Sequence, residues 1–265
     1  MIDTLVRRLA LRRLYRRIRS GPSIVQTRFF DCDLLVLAHE DVGRNIIVGD
    51  FELQDLKHFA ELTSDGDLIF DIGGNVGAYC LPLGHRFPRS QVVCFEPIPL
   101  NAALISASIL INKARNVQVV QACVSDQSGT VDFSLAEDSA YSSMVDTHRK
   151  AEVERFRCDA LTLDDFCQKA GMHRPDVMKI DVEGAELRVL LGARTLFESD
   201  VGAPRLVLIE LYDPNLSVFG ATISHVVDLM ESWSYRPYVL IQGRKAPFRA
   251  EFHNVHYNVF FERQA

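Results

Sequence analysis

The chain has 265 residues, 48% of them hydrophobic and 24% charged, which suits one large α/β domain with its own apolar core. Six cysteines without a C-x-x-C pair or zinc-ligand spacing favour reduced thiols in a cytoplasmic protein over a disulfide or zinc framework. The net charge is −6, but residues 1–28 carry eight arginines against one aspartate, which leaves −13 for the remainder and argues against a nucleic acid partner.

Residues 1–20 predict a basic amphipathic helix that stands apart from the rest of the chain. Its arginine-rich face would be attracted to anionic lipid headgroups or to an acidic partner. The alternative is a solvated basic helix packed on its own acidic domain. No run reaches the roughly 18 apolar residues of a membrane span, and the N-terminus lacks the apolar core of a secretory signal. We therefore expect a cytoplasmic protein, with peripheral membrane association under the first interpretation.

Residues 21–66 form a leading segment that begins at the break Gly21-Pro22-Ser23. Short apolar runs predict a small β-rich unit with strands at 27–30, 34–38 and 46–48. Apolar residues then recur at helical spacing and predict a helix over 53–62.

From residue 67 to residue 265 strands alternate with helices, which predicts a doubly wound, mostly parallel sheet with helices on both faces. We expect seven strands in this sheet, at 68–71, 91–95, 117–120, 176–181, 205–211, 238–241 and 257–261. Helices are expected after the first strand to residue 87 and then over 99–112, 162–170, 185–197 and 223–233. A further strand-like run at 130–135 precedes a long polar loop, 136–152, which we place beside the site.

The turn after the first strand reads Asp-Ile-Gly-Gly-Asn-Val-Gly at residues 71–77. Its glycines allow positive φ and a close approach of a ligand to the backbone. The outer glycines, Gly73 and Gly77, do not have the G-x-G-x-x-G spacing of a dinucleotide site. Asp71 at the strand end would repel a pyrophosphate but accept an ammonium group. The turn therefore favours a cationic, amino-acid-bearing cofactor such as S-adenosylmethionine over NAD, although glycine-rich turns are also abundant without a ligand.

Phe95-Glu96-Pro97 ends the second strand, and Glu96 lies 19 residues beyond Gly77. An acid at this place accepts hydrogen bonds from both ribose hydroxyls of an adenosine ligand. A NAD enzyme would use such an acid too, so Glu96 indicates adenosine rather than methyl transfer.

The run KIDVEGAE at residues 179–186 ends the fourth strand, where open α/β sheets bind their ligands. We expect Asp181 and Glu183 to point into the cleft, and Glu186 to face Lys179 or a helix N-terminus. The alternative is a purely structural charge network.

These motifs, together with 162–164 and 208–210, resemble the FkbM family of methyltransferases in order and spacing, over roughly residues 51–261. The resemblance implies a class I methyltransferase fold that uses S-adenosylmethionine. It also implies, usually, transfer to a hydroxyl oxygen of a sugar or secondary metabolite. Gly74 departs from the family, which more often carries alanine there, and we expect a looser loop as a result. The arginine-rich N-terminus lies outside the resemblance.

The resemblance assigns cofactor contacts to individual residues. In this assignment the loop binds the methionine half of the cofactor, Glu96 and Pro97 bind the ribose, and Ser125 and Asp126 bind the adenine edge. Asp181 borders both the cofactor and the acceptor. The loop residues concerned are Asp71, Gly73, Asn75 and Gly77.

An alcohol is a weak nucleophile, so a general base should assist an in-line attack on the methyl group. Asp181 is the first candidate for the base, and Glu183 or Glu210 the second. We assign no metal ligand, although these three carboxylates could hold magnesium as an alternative. The imidazole alternatives are His39, His85 and His225.

The acceptor is expected to be a small molecule or a glycan hydroxyl, in a pocket shaped by 136–152 and by the leading segment. Two other functions stay open at this point. One is a NAD-linked oxidoreductase on a similar sheet. The other is a non-catalytic module that binds a membrane or a partner through residues 1–20. The sequence leaves the oligomeric state undetermined.

Overall fold

The computed structural model describes residues 23–199, 202–249 and 257–264. The predicted basic helix at 1–20 lies outside the described residues. Among the helices that are described, none is both long and apolar enough to span a membrane.

The described strands and helices follow each other in the predicted alternation. The strands are β1 (Ile24–Phe29), β2 (Cys32–Leu37), β3 (Leu68–Ile72), β4 (Gln91–Phe95), β5 (Val117–Val120), β6 (Cys123–Val124), β7 (Gly129–Ala136), β8 (Glu152–Leu161), β9 (Val177–Ile180), β10 (Leu206–Leu211), β11 (Tyr235–Ile241), β12 (Arg244–Pro247) and β13 (Tyr257–Arg263). The helices are α1 (Asp41–Val48), α2 (Leu53–Glu61), α3 (Cys80–Arg86), α4 (Pro99–Asn112), α5 (Leu163–Ala170), α6 (Glu186–Leu191), α7 (Arg194–Phe197), α8 (Asp213–Val218) and α9 (Ile223–Ser232).

The main sheet has the strand order β12-β11-β13-β10-β9-β3-β4-β5. Neighbours from β10 to β5 are parallel, and β13 runs antiparallel between β10 and β11. This confirms the mostly parallel sheet but adds an eighth strand to the seven predicted. The addition is β12, which pairs with β11 across a two-residue turn at Gln242 (φ 52°) and Gly243 (φ 73°). Two left-handed residues match the twist of a tight hairpin, so this turn joins the strands directly.

Each face of the sheet packs against its own group of helices. The β1–β2 hairpin and helices α2, α3 and α4 cover one face, and α5, α6, α7 and α9 cover the other. Strands buried on both faces read as continuous apolar runs, as β3 and β9 do. The leading segment is thus part of the core and not an appendage to it.

The prediction of a strand at 46–48 is wrong, because these residues form the last part of helix α1. β-Branched residues favour strands only weakly, and packing overrides that preference. Gly43 lies so close to β2 that a Cβ there would be 2.1 Å from the carbonyl oxygen of Leu37. Gly49 ends the helix in the left-handed conformation (φ 70°).

A second, three-stranded sheet in the order β6-β8-β7 was not predicted as such. Strand β8 extends the predicted run at 130–135 into an antiparallel hairpin, whose long connection holds a 3₁₀ turn at Ser139–Tyr141. The capping prediction at Thr162 is confirmed, since its hydroxyl accepts the N–H of Asp165 at 3.1 Å. The single helix predicted over 185–197 is two helices, separated where Gly192 packs on the backbone of Ser125.

Candidate active site

A cavity opens at the carboxyl ends of β3, β4, β9 and β10, where the strand order predicts a ligand site. It holds about 1190 Å³ of empty space, including its open mouth, which is enough for a nucleoside cofactor beside an acceptor. Its walls come from the loop after β3, the end of β4, the second sheet, the end of β9, the leading segment and residues 139–149. The expectation that 136–152 and the leading segment border the site is therefore confirmed.

The loop after β3 is folded tightly against its neighbours. The N–H groups of Gly73 and Gly74 donate to the carbonyl of Phe95 at 2.9 and 3.1 Å. Gly73 has φ 81°, and a Cβ there would lie 1.7 Å from the carbonyl oxygen of Asp181. Gly73 and Asn75 line the cavity, whereas Gly77 (φ 86°) turns the chain toward α3 behind the wall.

Asp71 does not reach the cavity wall, which corrects the prediction that it faces the ligand. It is 1% exposed, and its Oδ2 accepts the N–H of Cys80 at 3.0 Å, so it holds the first turn of α3. Burial raises the pKa of Asp71, and the nearby ammonium of Lys179 opposes that shift. The structure therefore gives Asp71 a role in shaping the loop.

Gly74 does not make the loop looser, as its departure from the family had suggested. A Cβ at this position would lie 2.1 Å from Sγ of Cys94, far inside van der Waals contact. Cys94 is fully buried on the neighbouring strand β4. The glycine is therefore matched to the size of Cys94.

Glu96 lies on the cavity wall, as predicted for a ribose ligand. Its Oε2 accepts the N–H of Asn75 and its Oε1 the N–H of Ile98, both at 2.8 Å. Burial raises the pKa of Glu96 to about 8, although these two N–H groups lower it. Each oxygen keeps a lone pair for a ribose hydroxyl. Oδ1 of Asn75 is buried and has no hydrogen-bond partner among the described residues, so the wall also offers an acceptor to a ligand.

Ser125 and Asp126, predicted for the adenine edge, lie off the cavity wall. Ser125 donates its hydroxyl to Asp126 at 3.0 Å, and its backbone lies under Gly192. The wall is formed instead by mostly apolar residues that suit a purine ring, three of them directly before Ser125 and one on β7. The residues are Ala122, Cys123, Val124 and Phe133.

Asp181, Glu183 and Glu210 converge on the cavity, as predicted. Each contributes a carboxylate oxygen that lies within 4.8 Å of the other two. Nζ of Lys179 donates to Oδ2 of Asp181 at 2.9 Å, and Nη1 of Arg149 donates to Oε2 of Glu183 at 2.8 Å. A hard divalent cation would fit such a triad, but these two cations already reduce its attraction for a metal.

The negative charges of neighbouring carboxylates disfavour the ionised forms of Glu183 and Glu210. Burial, followed by the charges of Asp181 and Glu183, raises the pKa of Glu210 well above its ordinary value. Glu210 also hydrogen-bonds to Asp181, and a hydrogen bond between two carboxyl groups needs a proton on one of them, which the raised pKa of Glu210 assigns to Glu210. Burial and Asp181 raise the pKa of Glu183 to about 8, against the opposing charge of Arg149. The cluster can therefore accept a proton close to neutral pH.

Glu186 faces a helix N-terminus and not Lys179. Its Oε1 accepts the N–H groups of Val182 and Gly184 at 3.1 and 3.0 Å, which fixes the turn before α6. None of the histidine alternatives lines the cavity, whereas the carboxylates Asp181, Glu183 and Glu210 do. Those histidines are His39, His85 and His225.

Sequence reasoning missed three side chains on the wall, which are Arg149, Glu52 and Tyr79. The guanidinium carbon of Arg149 lies 4.3 Å from the ring centre of Tyr141 and 5.1 Å from that of Tyr212, so the long loop is held over the carboxylates. Glu52 of the leading segment accepts the hydroxyl of Tyr79 at 2.8 Å. The aromatic and charged residues of 141–150 were the available signal for Arg149, but no spacing in the sequence pointed to Glu52.

A family model described as the methyltransferase FkbM domain matches residues 71–237, which is more than half of the chain. The chain belongs to this family. It is an S-adenosylmethionine-dependent methyltransferase with the class I, Rossmann-like fold. The oxidoreductase and the non-catalytic alternatives give way to this assignment.

Two relatives match at moderate identity. The 2-O-methyltransferase NoeI of Sinorhizobium fredii is 26% identical over 180 residues, which span 63% of this chain and 72% of the relative. The 31-O-demethyl-FK506 methyltransferase FkbM of Streptomyces tacrolimicus is 27% identical over 186 residues, which span 60% and 70%. Among solved structures, the precorrin-6y C5,15-methyltransferase of Geobacter metallireducens matches with a TM-score of 0.48 at 13% identity, over 80% of this chain and 88% of that chain.

Replacing Gly74 with alanine should destabilise the protein because the new Cβ meets Sγ of Cys94. We expect the free energy of unfolding to fall by about 1–3 kcal/mol, as for other overpacked sites, in urea denaturation. The double variant Gly74→Ala/Cys94→Ala should recover most of this loss relative to Cys94→Ala alone. Equal losses in both backgrounds would mean that the contact with Cys94 is not the cause.

Glu186 should make the ligand-free protein less stable as the pH rises. Burial raises its pKa from 4.5 to about 7, so the native state binds this proton more tightly than the unfolded state does. The resulting stability is complete below about pH 4.5 and is lost as the pH rises through about 7.

Glu186→Gln keeps an acceptor for the two N–H groups and cannot ionise. Its unfolding free energy, relative to wild type, should therefore rise between pH 5 and pH 8 by roughly 1–3 kcal/mol. Glu198→Gln, at a side chain that is 48% exposed, is the control and should show no such rise. A difference that is independent of pH would refute the assignment.

Proposed function

We propose that the chain methylates a hydroxyl oxygen of a sugar or secondary-metabolite acceptor, with a carboxylate as the base. The observation that carries this proposal is the convergence of Asp181, Glu183 and Glu210 in the same cavity as the glycine loop and Glu96. The names of the two relatives describe O-methylation and support the choice of oxygen as the acceptor atom.

The walls suggest how the cofactor lies in the cavity. Glu96 and Asn75 would hold the ribose, and the apolar surface at 122–124 would face the adenine. Because both lie on the β4 side of the loop, the amino-acid half would extend toward β9. The sulfonium would then be near Asp181, whose negative charge favours a cation. S-Adenosylmethionine supplies an electrophilic methyl group when bound; the chain must orient the acceptor and take its proton.

Asp181 is our first choice for the base because of how it is held. Lys179 fixes one of its oxygens at 2.9 Å, and the protonated Glu210 contacts it from the next strand. A fixed carboxylate loses little freedom when an acceptor hydroxyl arrives. Glu183 is the second candidate, because a pKa of about 8 is closer to that of an efficient base near neutral pH.

Removing the carboxylate of Glu96 should weaken cofactor binding. Glu96→Ala should raise the Kd for S-adenosylhomocysteine in calorimetry by about 10- to 100-fold, since it loses the hydrogen bonds to two ribose hydroxyls. Glu96→Gln keeps the packing of this side chain, and its Kd should lie between those of the wild type and of Glu96→Ala. Wild-type affinity in Glu96→Ala would refute the ribose assignment.

Asp181→Asn should lower kcat by about 10²- to 10⁴-fold while the Kd for S-adenosylhomocysteine changes less than about threefold. The assay follows the transfer of labelled methyl to an acceptor first identified in a screen of hydroxylated glycans and metabolites. Glu183→Gln is the matched variant. If it loses the rate and Asp181→Asn does not, the base is Glu183, and if neither does, the carboxylate mechanism is wrong.

A further inference from the structure

Glu52 has an unusual backbone conformation for its residue type. It precedes helix α2 with φ 39° and ψ 32°, in the left-handed region that a side chain with a Cβ normally avoids. It occupies the N-cap position, yet its side chain caps no N–H of the helix. Instead it lies on the cavity wall and accepts the hydroxyl of Tyr79. Such conformations persist where the surroundings hold them and often mark a functional residue.

A chain of contacts places Glu52 on the β9 side of the glycine loop. Tyr79 holds its carboxylate, and Nζ of Lys179 lies 5.2 Å from the centre of the Tyr79 ring. The same Nζ donates to the carbonyl of Gly73 at 3.4 Å and to Asp181. Glu96, in contrast, contacts the loop from the β4 side through Asn75. With the ribose at Glu96, the amino-acid half of the cofactor extends toward Glu52.

The ammonium group of that half needs an acceptor on the wall, and Asp71 is buried beneath it. Asp181 is already bound to Lys179 and Glu210. Glu52 lies on the wall on this side of the loop, and its carboxylate is hydrogen-bonded to a neutral phenol. We propose that Glu52 binds the ammonium group of S-adenosylmethionine. This inference rests on cofactor binding in the cavity as described above.

The burial of Glu52 agrees with such a partner. Burial raises its pKa, while the charge of Lys179 lowers it and that of Asp181 raises it again. A cation that arrives with the cofactor would offset the cost of keeping this carboxylate ionised. Glu52 also lies outside the stretch 71–237 that matches the family, so the leading segment would complete the cofactor site.

The test compares three thioether ligands that share the adenosine and differ in the amino-acid half. S-Adenosylhomocysteine carries both ammonium and carboxylate, its decarboxylated analogue S-adenosyl-3-thiopropylamine keeps the ammonium, and 5′-methylthioadenosine lacks both. Glu52→Gln preserves an acceptor for Tyr79 and removes the charge. It should weaken the binding of the first two ligands by about tenfold or more in calorimetry. The affinity for 5′-methylthioadenosine should stay within twofold of the wild-type value.

Two variants serve as controls. Glu61→Gln makes the same change on the same helix, at a side chain that is 70% exposed, and should alter none of the three affinities. Glu52→Asp keeps the charge and should recover part of the loss. Binding of 5′-methylthioadenosine by Glu52→Gln shows that this variant is folded.

An equal loss for all three ligands would overturn the proposal, because Glu52 would then only shape the cavity. Unchanged affinity for S-adenosylhomocysteine would overturn it as well. If the wild-type protein binds none of the three, the cofactor assignment itself fails, and the proposal fails with it.

Discussion

The rest of the site depends on the electrostatic interactions that the ammonium group of Lys179 makes with its neighbours. It is buried in the middle of the sheet, where an unpaired charge would be strongly destabilising. Burial alone would lower its pKa, but the charges of Asp181, Asp71 and Glu52 raise it above the ordinary value, so it remains protonated. These three carboxylates come from the end of β9, from β3 and from the leading segment. Without the positive charge of Lys179 they would repel one another. Lys179 thus joins three separate parts of the chain at the carboxyl edge of the sheet.

The single charge of Lys179 does not balance the carboxylates that line the cavity, and this excess of negative charge affects which ligand can bind. Among the described residues, six carboxylates line the cavity against two cations: Asp41, Glu52, Glu96, Asp181, Glu183 and Glu210 against Arg149 and Lys179. Protonation of Glu210, and near neutral pH also of Glu96 and Glu183, whose pKa values are raised to about 8, removes much of the excess, and a cationic ligand can remove more. A pyrophosphate would add to it. The electrostatics therefore agree with a sulfonium cofactor and oppose a dinucleotide, which is the distinction that the glycine spacing alone made only weakly.

Features set by local chemistry could be predicted, and features set by distant neighbours could not. The apolar runs of β3 and β9, the cap at Thr162 and the carboxylates after β9 each follow from a few adjacent residues. The helix at 41–48 depends on the packing of Gly43 against β2, which no local pattern contains. Ser125 fails as an adenine contact because Gly192, far along the chain, lies against its backbone. Glu52 is conspicuous only once the left-handed backbone and Tyr79 are seen together.

The two halves of the cavity are built differently, and this bears on how the family can change its acceptors. Asp71 pairs with Lys179 in register across β3 and β9, and Glu210 lies on the adjacent strand, so the cofactor side rests on strands that are buried on both faces. The other side of the cavity is formed by segments that connect the strands. The hydroxyl of Tyr141 donates to Asp41 at 2.7 Å, which ties the loop of the second sheet to α1, and Arg149 ties it to Glu183. Loops tolerate substitution more readily than strands do, and within 137–151 this applies outside the buried residues Asp138, Ser139, Ser142 and Ser143. A change in the strands would instead shift the carboxylates relative to one another. Under the proposed function, acceptor preference would therefore vary through the exposed residues of these connections, while the strands keep the carboxylates in place.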